Sequence, residues 1–357
     1  MRLSDGKMIG RYRLLGYLGE GGMQQVYRAY DTKLGREVAL KTPKNDDGER
    51  RFDRSAHLSA LVNHSNVART LDYLAIDDQR FLIEEYVSGL DLGVVLKRIP
   101  QFDPYMAARM LHGLARGLAA VHAVGVVHRD LKPSNIVAVG GLKMVDIKIT
   151  DFGVSKMSEA EVDTGIAGGV LSLTGSKTLI GHLPYLAPEI LRRRKTVTPC
   201  ADVWAVGALL FHFLAGAPPF GHELADAVVQ IMTAPVPPLP QEIVTHPQFR
   251  GLGQELYGII VSCLQRDPDS RPTALQLVDL CDRLCYPVGE REVGVVEGFP
   301  GNSFGFARTA NGTVFFHNDS VFGKLRPGAG SEIWFSRHAG QPRDRAHPVV
   351  PMLPGEA

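Results

Sequence analysis

The chain has 357 residues, 45% apolar and 22% charged, the composition of an ordinary globular protein and not of a fibrous or disordered one. Lys plus Arg (39) nearly cancel Asp plus Glu (38), so no overall field draws the chain to nucleic acid or to an anionic membrane surface. The length suits two domains, or one two-lobed unit with an appendage.

In chain order, the opening MRLSDGKMIGRYRLL holds no apolar run of signal-peptide length. Residues 10 to 87 alternate short apolar runs with turns; 11–19, 25–31, 36–43 and 80–87 read as strands, interrupted by a helix over 49–61. From Tyr105 the period changes. Met106, Met110, Leu114, Leu118 and Val121 recur at helical spacing, which predicts a long amphipathic helix ending at Gly125. Further helices are expected over 202–216, 255–265 and 274–284. The stretch 203–216 is the most membrane-like, yet it falls short of the ~20 residues a span needs and reads as a buried core helix. The Pro-rich run 235–240 reads as a loop between helices. Cys200, Cys263, Cys281 and Cys285 are too few and too dispersed for a disulfide framework, which suits a reducing cytoplasm. Cys281 and Cys285, four apart, lack a second pair to complete a metal site and read as packing residues. After residue 288 Phe, Gly and Val alternate through residue 335, and a Pro-rich tail closes the chain.

Three signals carry chemistry, in a fixed order. Gly19-Glu20-Gly21-Gly22-Met23-Gln24-Gln25-Val26 lies between two strands, where glycines let backbone N–H groups approach phosphates; alone, such a run is more often just a turn. Val38-Ala39-Leu40-Lys41 follows on a strand, with a lysine able to pair with α- and β-phosphates. His128-Arg129-Asp130-Leu131-Lys132-Pro133-Ser134-Asn135 and then Asp151-Phe152-Gly153 complete the set. In-line phosphoryl transfer needs positioning and charge neutralisation more than covalent chemistry. Asp130 can orient or accept the proton of a substrate hydroxyl, and Asn135 and Asp151 offer hard oxygen ligands to Mg²⁺. Unrelated polar residues on surface loops would not fall in this order.

Over residues 10 to 285 the chain resembles a bacterial eukaryotic-like serine/threonine protein kinase. Ala187-Pro188-Glu189 resembles the family's APE motif, the segment 202–207 its central buried helix, and Arg271 the usual partner of that Glu. The resemblance implies a β-rich small lobe and a helical large lobe. It also implies ATP and Mg²⁺ as cofactors and a protein substrate. Leu18, Gly19, Glu20, Gly21, Gly22, Val26, Ala39 and Lys41 would surround ATP, with Glu85 to Val87 as the hinge that receives adenine. Lys132 beside the catalytic Asp130 is the Ser/Thr pattern. Arg129 before it goes with control by phosphorylation of the following loop, where Thr164, Ser172, Thr174, Ser176 and Thr178 are candidate sites; Ser and Thr are also what a flexible Gly-rich loop contains.

Four positions depart from the family. Gln24 stands for the third loop glycine. Ser55 stands nine residues before His64-Ser65-Asn66, where the family places the Glu that pairs with the nucleotide lysine; Glu49 lies about 9 Å further along the helix axis, on another face. His182 replaces a Thr that would bond the catalytic Asp and Lys. Glu84 occupies the normally apolar position before the hinge. A lone buried carboxylate there would be costly, so Glu84 is expected to pair with Lys41; the alternative is a side chain turned to solvent or kept protonated.

In the C-terminal part, the run 303–307 and the following 314–317 resemble the paired aromatic motifs of cold-shock domains, small five-stranded OB barrels. Phe304, Phe306, Phe315 and His317 would then stack on single-stranded nucleic acid, the alternative being that the Phe residues form the barrel core. Residues 300–349 hold six Lys/Arg and three Asp/Glu, a balance of +3 that suffices for weak binding but makes no basic stripe. The expected organisation is an N-terminal segment (1–9), a small lobe with hinge (10–87), a large lobe (88–287), an OB-like domain (288–350) and a tail (351–357). Three functions compete: an active kinase of the cytoplasm with no membrane partner, a nucleotide-binding pseudokinase, and a nucleic-acid-binding regulator that uses the kinase lobes as a sensor.

Overall fold

The computed structural model describes residues 2–20, 24–44, 49–77, 79–151, 181–192, 198–221, 223–300 and 303–355. An antiparallel six-stranded sheet opens the chain, in the order β1 (Met8–Ile9), β2 (Tyr12–Glu20), β3 (Gln24–Asp31), β4 (Arg36–Pro43), β6 (Gln79–Glu85), β5 (Thr70–Ile76). The four apolar runs read from the sequence are β2, β3, β4 and β6. Strand β5 escapes that reading because it lies at the sheet edge with no fully buried side chain, so its sequence carries no inside face.

Period-two alternation gives the central strands two unlike faces. Tyr27, Ala29, Val38, Leu40, Phe81 and Ile83 form an apolar cluster on one. The other carries Ala39, Lys41, Leu82 and Glu84, and Leu82 packs there against Phe52 and Ala56 of helix α1 (Glu49–Ala60).

Strand β7 (Gly89–Asp91) and helix α2 (Leu92–Arg98) lead into α3 (Pro104–Ala123), which starts where Asp103 accepts hydrogen bonds from the amides of Tyr105 and Met106 and Pro104 presets the first turn. Its predicted apolar stripe, Met106 to Val121, is buried. Gly113 and Gly117 let β9 (Asp146–Ile149) approach: a Cβ on Gly113 would stand 2.7 Å from Ile147 and one on Gly117 2.9 Å from Ile149. Strands β7, β8 (Ile136–Val139) and β9 make a small sheet whose β8–β9 hairpin follows Asn135 and runs into Asp151. The central helix Cys200–Ala215 is buried along nearly its whole length. The helix expected at 255–265 begins earlier, as Arg250–Cys263, and the one expected over 274–284 ends at Cys281. Gly251 and Gly253 look like breakers in sequence, yet a Cβ on Gly253 would lie 2.3 Å from Ile243, so glycine there serves helix packing.

Residues from Glu292 onward form a closed five-stranded barrel, β10 (Glu292–Gly298), β11 (Phe304–Thr309), β12 (Gly312–His317), β14 (Arg345–Pro351) and β13 (Glu332–His338) in spatial order. Its core is Val296, Ala307, Val314, Phe316, Ile333, Phe335 and neighbours. The barrel is not suspended on a linker. Phe322, Trp334, Val350 and Met352 belong to the core of the helical lobe. The Trp334 ring lies against Phe102, its centroid 5.7 Å away, and its Nε1 donates to Leu142 O at 2.6 Å. Arg291 meets Asp103 at 2.7 Å with side chains 2% and 0% exposed, and its guanidinium lies 4.6 Å from the Trp334 ring centroid. Arg98 adds an ion pair to Glu332 at 2.5 Å.

The chain holds two tryptophans, Trp204 in the helical lobe and Trp334 in the barrel. Trp334→Ala should therefore destabilise the lobe by ~3–5 kcal/mol. The remaining Trp204 fluorescence should report this as a lower denaturation midpoint; an unchanged midpoint would mean that the two parts unfold separately.

Candidate active site

The site lies where the sheet face bearing Lys41 meets the loops around β8 and β9. The central helix sets the loop before β8. Asp202 accepts from the amides of His128 and Arg129, both at 2.8 Å, and contacts His122 Nε2 at 2.8 Å. His128 Nε2 contacts Thr150 O at 2.9 Å, tying this loop to the residue before Asp151. Arg129 (φ 68) and Asp151 (φ 61) both hold left-handed backbone, costly for non-glycine residues and often found where side chains must be aimed.

Asp130 is buried and held from three directions. Asn135 Nδ2 donates to its Oδ2 at 2.9 Å and to its backbone oxygen at 2.8 Å. Lys132 Nζ lies 3.2 Å from Oδ2, and His182 Nε2 is in contact with Oδ1. Burial pushes the Asp130 carboxyl up, but the contacts with His182 and the charge of Lys132 outweigh it and bring the pKa down to about 2. Lys132 Nζ also meets His182 Nε2 at 2.5 Å. The histidine at the position of the family's Thr thus reaches both groups that the Thr would bond.

Lys41, on β4, forms ion pairs with Glu84 Oε2 and with Asp151 Oδ1, the latter at 2.7 Å. The Lys41 and Glu84 side chains are each 5% exposed. Burial alone would depress the Lys41 ammonium; the Asp151 and Glu84 charges hold it above its ordinary range instead. Burial pushes the Glu84 carboxyl up against the pull of Lys41, while Lys41 overcomes burial at Asp151 and holds it down. The Glu84 side chain is thus turned into the fold beside Lys41 and not to solvent.

Gln24, the first residue of β3, is 6% exposed, and its Nε2 donates to Asp151 Oδ1 at 2.9 Å. The departure from glycine therefore puts a side chain on the carboxylate expected to hold metal, a contact the sequence reading did not foresee. Leu18 is half-exposed on β2, and Val26 and Ala39 sit opposite Lys41 and Arg28 respectively in the β3–β4 ladder. Glu85 ends β6, its side chain bonded to Lys148 at 2.9 Å. Gly21, Gly22 and all five candidate phosphorylation positions, Thr164, Ser172, Thr174, Ser176 and Thr178, lie outside the described residues.

The residues present fit Mg²⁺. With Asn135 Nδ2 turned to Asp130, its Oδ1 receives among the described residues a single 3.5 Å contact, from Ser134. Asp151 Oδ2 likewise receives, among the described residues, a single 3.4 Å contact, from Thr150. One carboxylate and one amide oxygen are the hard donors this ion takes beside phosphates and water.

The protein kinase domain family matches residues 12–280. A probable serine/threonine-protein kinase of Streptomyces coelicolor is 32% identical over 74% of this chain. The serine/threonine-protein kinase pkn2 of Myxococcus xanthus is 33% identical over 76% of the chain, and PknA of Mycobacterium tuberculosis 34% identical over 66%. The chain belongs to the protein kinase family, of the bacterial serine/threonine type. These alignments span 38%, 32% and 54% of the respective relatives.

His182 bridges Asp130 and Lys132, so His182→Ala should lower the turnover of phosphoryl transfer by roughly tenfold or more. The KM for ATP should change little, and His182→Thr should recover most of the loss. Equal turnover in all three proteins, measured with a generic protein substrate, would leave His182 without a role.

Proposed function

We propose that this chain is a serine/threonine protein kinase that transfers the γ-phosphoryl group of ATP to a Ser or Thr hydroxyl of a protein. The observation that carries the reading is the Asp130 cluster: an ionised carboxylate aimed by Asn135, with Lys132 at 3.2 Å, in the loop that also supplies the metal-ligand candidate Asn135. Asp130 orients the substrate hydroxyl, whose oxygen forms the new bond to γ-phosphorus as the bond to the β–γ bridging oxygen breaks; the hydroxyl proton passes to Asp130 and ADP leaves. Lys132 faces the charge growing on the transferred group, and Lys41 holds the α- and β-phosphates. Asn135 and Asp151 would hold Mg²⁺, which supplies charge neutralisation on the phosphates. Leu18, Gly19, Glu20, Gly21, Gly22, Val26 and Ala39 enclose the nucleotide, and Glu85 and Val87 receive adenine. The names of the relatives support this assignment.

Arg129 Nε is buried without a hydrogen-bond partner among the described residues, which supports a phosphate-docking role for Arg129 toward the following loop. All four cysteines are free thiols, which supports a cytoplasmic setting. Among the described residues no helix is long and apolar enough to cross a membrane. The Gln24–Asp151 contact favours the second reading, a nucleotide-binding pseudokinase, because metal binding must compete with it. Autophosphorylation with Mg-ATP separates the two. Asp130→Asn and Asp151→Asn should each lower labelling by roughly a hundredfold or more. Variants that label as strongly as wild type would sink the kinase reading.

For the barrel we propose an OB-type, cold-shock-like domain that contacts single-stranded nucleic acid. Five strands closed in the order first, second, third, fifth, fourth support the fold assignment. Phe304, Phe306 and Phe315 support the binding role: they are half-buried, lie on the strand face opposite the barrel core, and pack on one another at 5.6–5.9 Å. Arg343 lies 5.3 Å from the Phe306 ring centroid, and an aromatic platform with adjacent cations suits stacked bases and their phosphates. His317 caps the next turn through the Asp319 amide at 3.2 Å and is 44% exposed, at the rim of the platform. Stacking contributes ~1–3 kcal/mol per base, so Phe304→Ala/Phe315→Ala in the full chain should weaken salt-sensitive oligonucleotide binding more than about tenfold, by fluorescence anisotropy. The melting temperature should stay near wild type because both rings lie outside the core. A wild-type chain that binds no single strand at low salt would remove the proposal.

A further inference from the structure

A buried ammonium on a four-carbon stem needs more than one anchor if it is to meet phosphates at a set place. Among the described residues, the ion pairs of Lys41 are with Asp151 and Glu84. Asp151 arrives from a loop of the helical lobe. Glu84 does not: it lies on β6, in the same sheet as Lys41. The β4–β6 register sets Ala39 opposite Glu84 and Lys41 opposite Leu82, so Lys41 and Glu84 are diagonal neighbours on one face. Such diagonals are ~7–8 Å apart at the backbone, within reach of two long side chains. The methyl side chain of Ala39 leaves room for Glu84 to lean along the strand.

Helix α1 covers this face yet makes no described ion pair with the lysine. Among its described side chains, Phe52 and Ala56 pack here on Leu82. Its Asp53 turns to the sheet edge, where it meets the Tyr73 hydroxyl and lies 3.8 Å from Arg80. We propose that Glu84 is the positioning residue for Lys41, so that the nucleotide lysine is aimed from within the sheet and its aim does not depend on an acidic residue of helix α1. The inference rests on the kinase reading and deepens it. A carboxylate on the strand next to Lys41 moves only as the sheet moves, whereas one on α1 would release the lysine whenever the helix shifted.

The test uses the full chain, Mg-ATP and a generic protein substrate, and follows kcat and KM separately. Glu84→Gln keeps the shape and one acceptor oxygen but removes the charge. It should lower kcat/KM for ATP at least tenfold while the KM for the protein substrate changes less than twofold. Glu84→Met should do the same or more. Position 55 is three residues after Phe52 and four before Ser59 in α1, the spacing of one helix face, so Glu84→Met/Ser55→Glu offers the lysine a carboxylate from the helix and should recover most of the loss. Wild-type kcat/KM for ATP in both Glu84→Gln and Glu84→Met overturns the inference while leaving the kinase reading intact. A loss that Ser55→Glu does not reverse, in a double variant melting as wild type, overturns it as well. A wild-type chain that transfers no phosphate, and whose melting Mg-ATP does not raise, overturns the kinase reading and this inference with it.

Discussion

Asp202 sits on the central helix with its carboxylate taken up by the amides of His128 and Arg129 and by the His122 ring. A carboxylate this deeply buried would be expensive if any of these partners were lost, so helix and loop are fixed to each other. The consequences run outward along the chain. Arg129 is held at a positive φ, and His128 reaches Thr150, which ties the loop bearing Asp130 to the residue before Asp151. The buried Glu189–Arg271 pair, with bonds of 2.7 and 2.8 Å, fixes the segment after His182 in a similar way. The loops that carry Asp130 and Asp151 are thus fixed from the core of the helical lobe.

Among the described residues, the ion pairs around Asp130 and Lys41 form two sets. In the first, Asp130 is matched by Lys132 and His182; in the second, Lys41 is matched by Glu84 and Asp151, with Gln24 donating a further hydrogen bond. The second set holds two carboxylates against one ammonium, a local excess of negative charge. A divalent cation entering with a polyphosphate would meet that excess, while the Gln24 amide would have to yield its hydrogen bond.

Much of this was legible in the sequence, because the reacting groups stand at fixed places relative to strands and turns. Lys41 lies near the end of an alternating strand, and Asp130, Asn135 and Asp151 flank a hairpin whose length their spacing sets. The same alternation puts Glu84 on the face of Lys41. What escaped the sequence reading depends on partners distant along the chain. Gly113 and Gly117 look like weak points in a helix until β9 is seen against them. His182 reads as a loss until its ring is found between Asp130 and Lys132. Trp334 carries no mark that separates it from an ordinary barrel residue, and only the packing on Phe102 and Leu142 gives it a place in the other core.

That shared core also governs geometry at long range. A module on a flexible tether samples its surroundings according to the length of the tether, and its cargo meets a neighbouring cleft at a statistical effective concentration. The barrel has no such freedom, since Trp334, Met352 and the Arg291–Asp103 pair lock it to the helices that carry the hairpin. The Phe304, Phe306 and Phe315 face therefore keeps one fixed orientation to the helical lobe, and no tether length enters its geometry.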